Sequence, residues 1–476
     1  MPNTSRRQFL QAAAGAAALT PYFLSSAQPL RADAPSDKLR MGCIGLGSMG
    51  QGDAQGFSSL TDIVAVCDVD SRHLEHAKNH EKVGKGKADA YKDYRKILER
   101  SDIDVVSIVT VDHWHTKIAV EALQAGKHVF CQKPLTLTIE ENKLIRAAAK
   151  KYKKVFQVGT QQRRQVEQFM TAVLMVQKGF LGNLKHVVVH IDGSPTSGAI
   201  PAADIPPELD WELWQGQTPN VRYIAAGPPK NDWYNQSKPG RTHYEYRWWY
   251  EYSGGKFTDW GAHHIDNMLQ ALELTAEGTG PVSVKALVAD HPVPFKNGYP
   301  TVDNQYNTSH KFDIEVKFAD GLIANVVSHS KDGNGILFEG TKGKIHVSRG
   351  RVKGKPFEDI GGKLTEKGGA VPYAECPDLQ KNLPWEEYIR LFNGKPVDTN
   401  HKRNFITCIK EGGLPVSDVF SHLQTMNVCH LCTIAARLGV DREIKWDAKT
   451  ETTGDSESQQ FLARERRKGY DIPNEG

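Results

Sequence analysis

Gly45-Leu46-Gly47-Ser48-Met49-Gly50 follows the apolar run Met41 to Ile44 and precedes a helical pattern. Glycines in this G-x-G-x-x-G spacing, between a strand and a helix, let a pyrophosphate approach backbone amides at the positive end of the helix. Asp68 closes the next apolar run, Ile63 to Cys67. A carboxylate there can accept both ribose hydroxyls of NAD and repel a 2′-phosphate. Arg72 is close enough in sequence to reach adenine or a phosphate, which leaves NADP open beside NAD. The loop residues Gly45, Gly47, Ser48, Met49 and Gly50, with Asp68 and Arg72, are therefore the expected cofactor contacts.

Further short apolar runs, Val105 to Val109, Val129 to Cys131 and Val155 to Val158, alternate with helical patterns. Repeated strand and helix units imply a doubly wound parallel sheet, a Rossmann domain over residues 38–158. Thr138-Ile139-Glu140-Glu141 reads as a capping box opening the helix to Tyr152. After Gly159 the pattern changes to that of an α+β domain, residues 159–450, with a large, mainly antiparallel sheet. Phe312, Ile314, Val316 and Phe318 alternate with charged residues, and Asp320-Gly321 then turns the chain into Ile323 to His329. Ser194 to Trp249, rich in Pro, Gly and Trp, reads as loops shaping a pocket, and residues 451–476 as an irregular polar tail.

With 476 residues, 39% of them hydrophobic and 24% charged, the chain has the composition of a soluble globular protein. Ser5-Arg6-Arg7-Gln8-Phe9-Leu10 and the alanine-rich stretch behind it read as a twin-arginine export signal over residues 1–27, followed by a linker to residue 37. The expected partner is thus the twin-arginine export machinery, and the expected location periplasmic or secreted, with no membrane anchor in the mature form. Removing the leader takes Arg6 and Arg7 and no carboxylate, which lowers the net charge from +4 to +2 and excludes a nucleic-acid surface. Seven scattered cysteines argue against a disulfide framework. Cys429-x-x-Cys432 lies in a helical run and reads as structural. No metal site is expected.

Three further stretches carry chemistry: Val109-Thr110-Val111-Asp112-His113-Trp114-His115, Cys131-Gln132-Lys133-Pro134, and Asp259-Trp260-Gly261-Ala262-His263-His264-Ile265-Asp266. With the glycine loop and Ala125-Gly126-Lys127-His128-Val129, they resemble the Gfo/Idh/MocA oxidoreductases over nearly the whole mature chain. The resemblance implies Thr110, His115, Gln132 and Lys133 beside the cofactor, and Lys133, Asp259 and His263 as the catalytic set. The chemistry agrees: oxidising an alcohol needs a base for its proton and a cation for the developing alkoxide. Asp259, four residues before His263, can orient the imidazole or hold the same hydroxyl. Two positions depart from the family pattern, Gln132 for the glutamate before the lysine and Val111 for a proline.

Arg163 and Arg164 fall where the family's substrate pocket begins, and both a substrate role and a surface role stay open. Trp248, Trp249 and Tyr250 suit either a sugar's apolar face or plain core packing. The implied activity is hydride transfer between a sugar, polyol or glycoside hydroxyl and a nicotinamide cofactor loaded before export and retained. A glycosidase using transient sugar oxidation and elimination, or a non-catalytic NAD-containing sugar-binding protein, are the alternatives. The family also implies a homo-oligomer through the exposed face of the second sheet, where Lys311, Asp313, Glu315 and Lys317 would lie.

Overall fold

Five of the apolar runs become strands of one parallel sheet: β1 (Arg40–Ile44), β2 (Asp62–Cys67), β4 (Val105–Ile108), β5 (His128–Cys131) and β6 (Phe156–Val158). The computed structural model describes residues 38–227 and 238–475; the expected export leader and linker lie outside them. A sixth strand, β3 (Asp89–Tyr91), has no apolar signature because it is a short, largely exposed edge. The order β3-β2-β1-β4-β5-β6 reverses direction at β1. The loops after β1 and β4 therefore part there and leave a crevice, the usual ligand position in such sheets.

The helix Ile139–Tyr152 begins at Thr138, whose hydroxyl accepts from the Glu141 amide at 3.2 Å. Only half of the expected capping box forms. The Glu141 carboxylate accepts from the Leu137 amide and the Thr116 hydroxyl, both at 2.8 Å, and so ties this helix to Asp112–Gln124.

The second domain is built on a nine-stranded sheet, ordered β15-β14-β13-β7-β12-β11-β8-β16-β17. Its strands are β7 (Leu184–His190), β8 (Ser283–Asp290), β11 (Lys311–Lys317), β12 (Ile323–Val327), β13 (Gly335–Gly340), β14 (Gly343–Ser348), β15 (Arg351–Lys353), β16 (Glu443–Asp447) and β17 (Thr452–Thr453), with a small β9–β10 hairpin (Phe295–Lys296, Tyr299–Pro300) outside it. All pairings are antiparallel except β7 with β12. Phe312, Ile314 and Val316 are buried, while Asp313 and Glu315 between them are partly exposed, as their alternation requires. The helices Gly261–Ala271 and Val419–Leu438 cover the apolar face.

Two parts of the chain return to the first domain. Phe405, on the helix His401–Glu411, packs its ring 6.3 Å from Phe57 and 6.0 Å from Phe130, so a segment far downstream of the first domain completes the Rossmann core. The tail is not loose: Lys117 donates to the Asp471 carbonyl at 2.7 Å, Lys151 pairs with Glu475, and Tyr470 packs on Trp114. All seven cysteines are buried free thiols. No described helix is long and apolar enough to cross a membrane.

Candidate active site

Gly45 adopts φ +83°, and a Cβ there would meet the Val109 carbonyl at 2.5 Å. A Cβ on Gly50 would collide with the Gly45 carbonyl. These two glycines close the loop on itself, while Gly47 faces open space, its nearest neighbour being His73 at 3.8 Å from an added Cβ. The helix Ser48–Phe57 that follows has no side-chain cap and no acid in its first turn. Its free amides suit a phosphate, so the loop fits a dinucleotide. Asp68 stands at the end of β2 with both oxygens fixed, one by the Leu46 amide at 2.6 Å and the other by the Asp70 amide at 2.9 Å. Gly45 to Gly50, Asp68, Arg72, Thr110, Gln132 and Lys133 all line this cleft.

Lys133 projects from the far end of the cleft toward the second domain. Its Nζ donates to Asp259 Oδ1 at 2.5 Å and to the Asp259 carbonyl at 3.1 Å. Asp259 closes the short helix Lys256–Asp259, and His263 lies one turn on, in the first turn of Gly261–Ala271. Burial alone would raise the Asp259 carboxyl, but Lys133 and Arg247 outweigh it and hold the group at about 2. Burial pushes the His263 imidazole well below its usual value, and the charges of Lys133 and Arg349 add to the effect. His263 Nδ1 is sealed without a partner, and Asp259 and His263 are buried behind the cleft, whose wall at this end is formed by Lys133, Tyr246 and Arg247. Asp259 thus holds Lys133 rather than orienting His263.

Gln132 explains one departure from the family pattern. Its Nε2 donates to Asp53 Oδ2 at 2.7 Å, and Asp53 pairs with Lys402 at 2.8 Å. A glutamate at 132 would set two carboxylates face to face in a buried place.

Other expected contacts sit elsewhere. His115 is buried and does not line the cleft; its nitrogens lie 2.6 Å from the Pro134 carbonyl and 3.1 Å from the Thr110 carbonyl, bracing the two loops that do. Arg163 is fully committed to Asp266, with both contacts at 2.6 Å, and to Ser421, so it supports the His263 helix from behind and cannot meet a substrate. Arg164 donates to the Thr399 carbonyl. Neither arginine lines the dinucleotide cleft. Trp248, Trp249 and Tyr250 are buried core residues.

The second domain covers the cleft with Leu213, Trp214, His243, Tyr244, Tyr246 and Arg247. Tyr246 and Ser253 each donate to the buried Asp112 carboxylate at 2.6 Å. Sequence reasoning found the aromatic segment but not these residues, since their partners lie more than 130 positions away. Asp70, His73 and His243 bring metal-type donor atoms within 4.8 Å of one another. Both oxygens of Asp70, however, already face the Arg72 guanidinium, which opposes a cation there.

A dinucleotide fold with this loop and a lysine, aspartate and histidine beside it defines a nicotinamide-dependent oxidoreductase. Residues 39–160 match the NAD-binding Rossmann fold of the Gfo/Idh/MocA oxidoreductase family, and residues 195–351 its C-terminal α/β domain. The chain belongs to that family. It is 32% identical over 209 residues to a glycosyl hydrolase family 109 protein of Shewanella baltica, a match covering 39% of this chain and 45% of the relative. The chain thus spans less than half the length of that relative. The fold resembles that of the WlbA dehydrogenase of Bordetella pertussis, solved with NADH and UDP-GlcNAcA (TM-score 0.57, 18% identity, 87% of this chain and 99% of that one). It also resembles levoglucosan dehydrogenase, solved with NADH and levoglucosan (TM-score 0.56, 18% identity, 86% and 99%).

Proposed function

We propose that this chain is an exported NAD-dependent oxidoreductase that oxidises a hydroxyl of a sugar, polyol or glycoside. The observation that carries this reading is the 2.5 Å contact between Lys133, on the wall of the cofactor cleft, and Asp259, one helical turn from His263. Bound NAD supplies the hydride acceptor. His263, neutral at physiological pH, takes the hydroxyl proton at Nε2. Lys133 stabilises the developing alkoxide, and Asp259 holds its ammonium in place. Export is supported by Arg6 and Arg7, and a homo-oligomer by the partly exposed face of the nine-stranded sheet. A leader cleaved from the protein in a periplasmic fraction, and a light-scattering mass above one chain, test these two points.

The family 109 relative favours a second reading, in which the ketone formed acidifies the neighbouring carbon, the glycosidic bond is eliminated with loss of the aglycone alcohol, water adds to the resulting enone, and the ketone then takes back the hydride held on the cofactor. The cover over the cleft suits a cofactor that stays bound through such a cycle. Purifying the protein without added nucleotide and following the near-ultraviolet absorbance of reduced nicotinamide with a panel of sugars and glycosides separates the readings. Accumulating reduced cofactor supports the oxidoreductase; a cleaved glycoside without net reduction supports the glycosidase. Intact NAD with neither response defeats both and leaves a binding protein.

A further inference from the structure

We propose that Asp70 sets the nucleotide preference of the cleft by holding Arg72 away from the place a 2′-phosphate would occupy. Asp70 lies two residues beyond Asp68, is fully buried, and lines the same end of the cleft. Its Oδ1 accepts from the Arg72 amide at 2.9 Å and from Nε at 3.1 Å, while Oδ2 accepts from Nη2 at 2.6 Å. His243 of the cover approaches Oδ2 at 3.2 Å. Burial disfavours the carboxylate, yet hydrogen bonds from His243 and Arg72 overcome this and hold Asp70 below the usual range, so it stays ionised.

An arginine near the adenosine ribose is ordinarily the residue that accommodates a 2′-phosphate. Here the fork is spent on a carboxylate. To meet a phosphate, the guanidinium would have to abandon a buried anion, and breaking such a pair is strongly unfavourable. Of the other cations lining the cleft, His73 faces Asp68 at 3.5 Å, and Lys92 is an exposed point charge without the planar fork of an arginine. Selection for NAD therefore has two layers, with Asp68 repelling the phosphate and Asp70 disarming the cation that would welcome it.

Asp70→Asn separates the charge from the helix cap, because asparagine caps the helix Ser71–Asn79 equally well. Protein brought to exchange equilibrium with equimolar NADH and NADPH, freed of unbound nucleotide and assayed by chromatography, gives the bound ratio directly. The wild type is expected to hold mostly NADH. Asp70→Asn should raise the bound NADPH:NADH ratio at least about tenfold, the scale of one charge-assisted contact, and adding Arg72→Gln should cancel the gain. Arg72→Gln alone, which leaves Asp70 intact, should move the ratio less than about twofold, since its guanidinium is not at the ribose. An unchanged ratio in Asp70→Asn, a gain that survives in the double variant, or a larger shift from Arg72→Gln alone would each overturn the proposal.

Discussion

Lys133 Nζ and Asp259 Oδ1 lie 2.5 Å apart although 126 residues separate them, one following a Rossmann strand and the other ending a helix of the second domain. The pair pins the cofactor cleft to the domain expected to hold the sugar. Lys133→Ala and His263→Ala should each keep bound nucleotide but lose turnover by at least about a hundredfold, the scale of a general base or its electrostatic partner. Bound NAD after desalting and sugar-dependent cofactor reduction give the two readings. Wild-type rates in both variants would remove the assignment.

His263 should act as a neutral base over the whole physiological range, because burial and the charges of Lys133 and Arg349 keep its pKa well below 6.5. If it takes the substrate proton, kcat/KM should stay level as pH falls from 8 through 6.5, and the acid limb should appear only well below that. An acid limb centred at 6.5 or above would mean an imidazole in contact with water.

Four buried histidines should make the fold acid-labile. His113, His401 and His430 are held near 3 and His264 near 4, in each case mainly by burial, against 6.5 for an exposed imidazole. Below 6.5 the unfolded chain binds protons that the folded chain refuses. The stability these groups provide is therefore whole above that pH and drains away as pH falls toward 3. One unit below 6.5, each should cost about 1.4 kcal/mol. Melting temperature measured from pH 7.5 to 5.5 should drop steeply in the lower half; a flat profile would contradict the burial of these rings.

The first domain was open to reading because its signals are local: apolar strands, a glycine loop, and an acid closing the second strand. What escaped depends on distant partners. Arg163 has the pattern of an exposed cation, yet Asp266, 103 residues on, neutralises it in the core. Phe405 belongs by sequence to the second domain and by packing to the first. Tyr246 and Arg247 reach the cleft from a short 3-10 helix, His243–Trp248, whose sequence has no amphipathic pattern to tell a lining residue from a core one. Gln132 is intelligible only once Asp53 is seen beside it.

The glycine loop separates fold from ligand. Gly45→Ala should destabilise the protein by at least about 1–2 kcal/mol, because alanine is strained at φ +83° and its methyl meets the Val109 carbonyl. Gly47→Ala, with φ −65° and no atom nearer than 3.8 Å, should melt like the wild type without nucleotide but bind NAD at least about tenfold more weakly. Denaturant titration and nucleotide binding measure the two effects. Equal damage from both would mean that the loop's open face does not receive the phosphates.

Arg467 ties the tail to the cover. Its Nε donates to the Gly216 carbonyl at 2.6 Å and its Nη1 to Glu212 Oε2 at 2.9 Å, behind the segment that presents Leu213 and Trp214 to the cleft. From the other side, the Trp214 carbonyl accepts from Trp114 Nε1 at 3.1 Å and lies 2.9 Å from His113 Nε2. The segment is thus clamped between the tail and the helix Asp112–Gln124, and nucleotide release is expected to need one clamp to yield. A partly exposed charge-assisted contact contributes about 1 kcal/mol once solvent screening is counted, so Arg467→Ala should speed NADH release roughly fivefold. The loss of dihydronicotinamide fluorescence after dilution into excess NAD follows that rate. An unchanged rate would show that the cofactor escapes without moving the cover, and retention would then have to come from the phosphate loop alone.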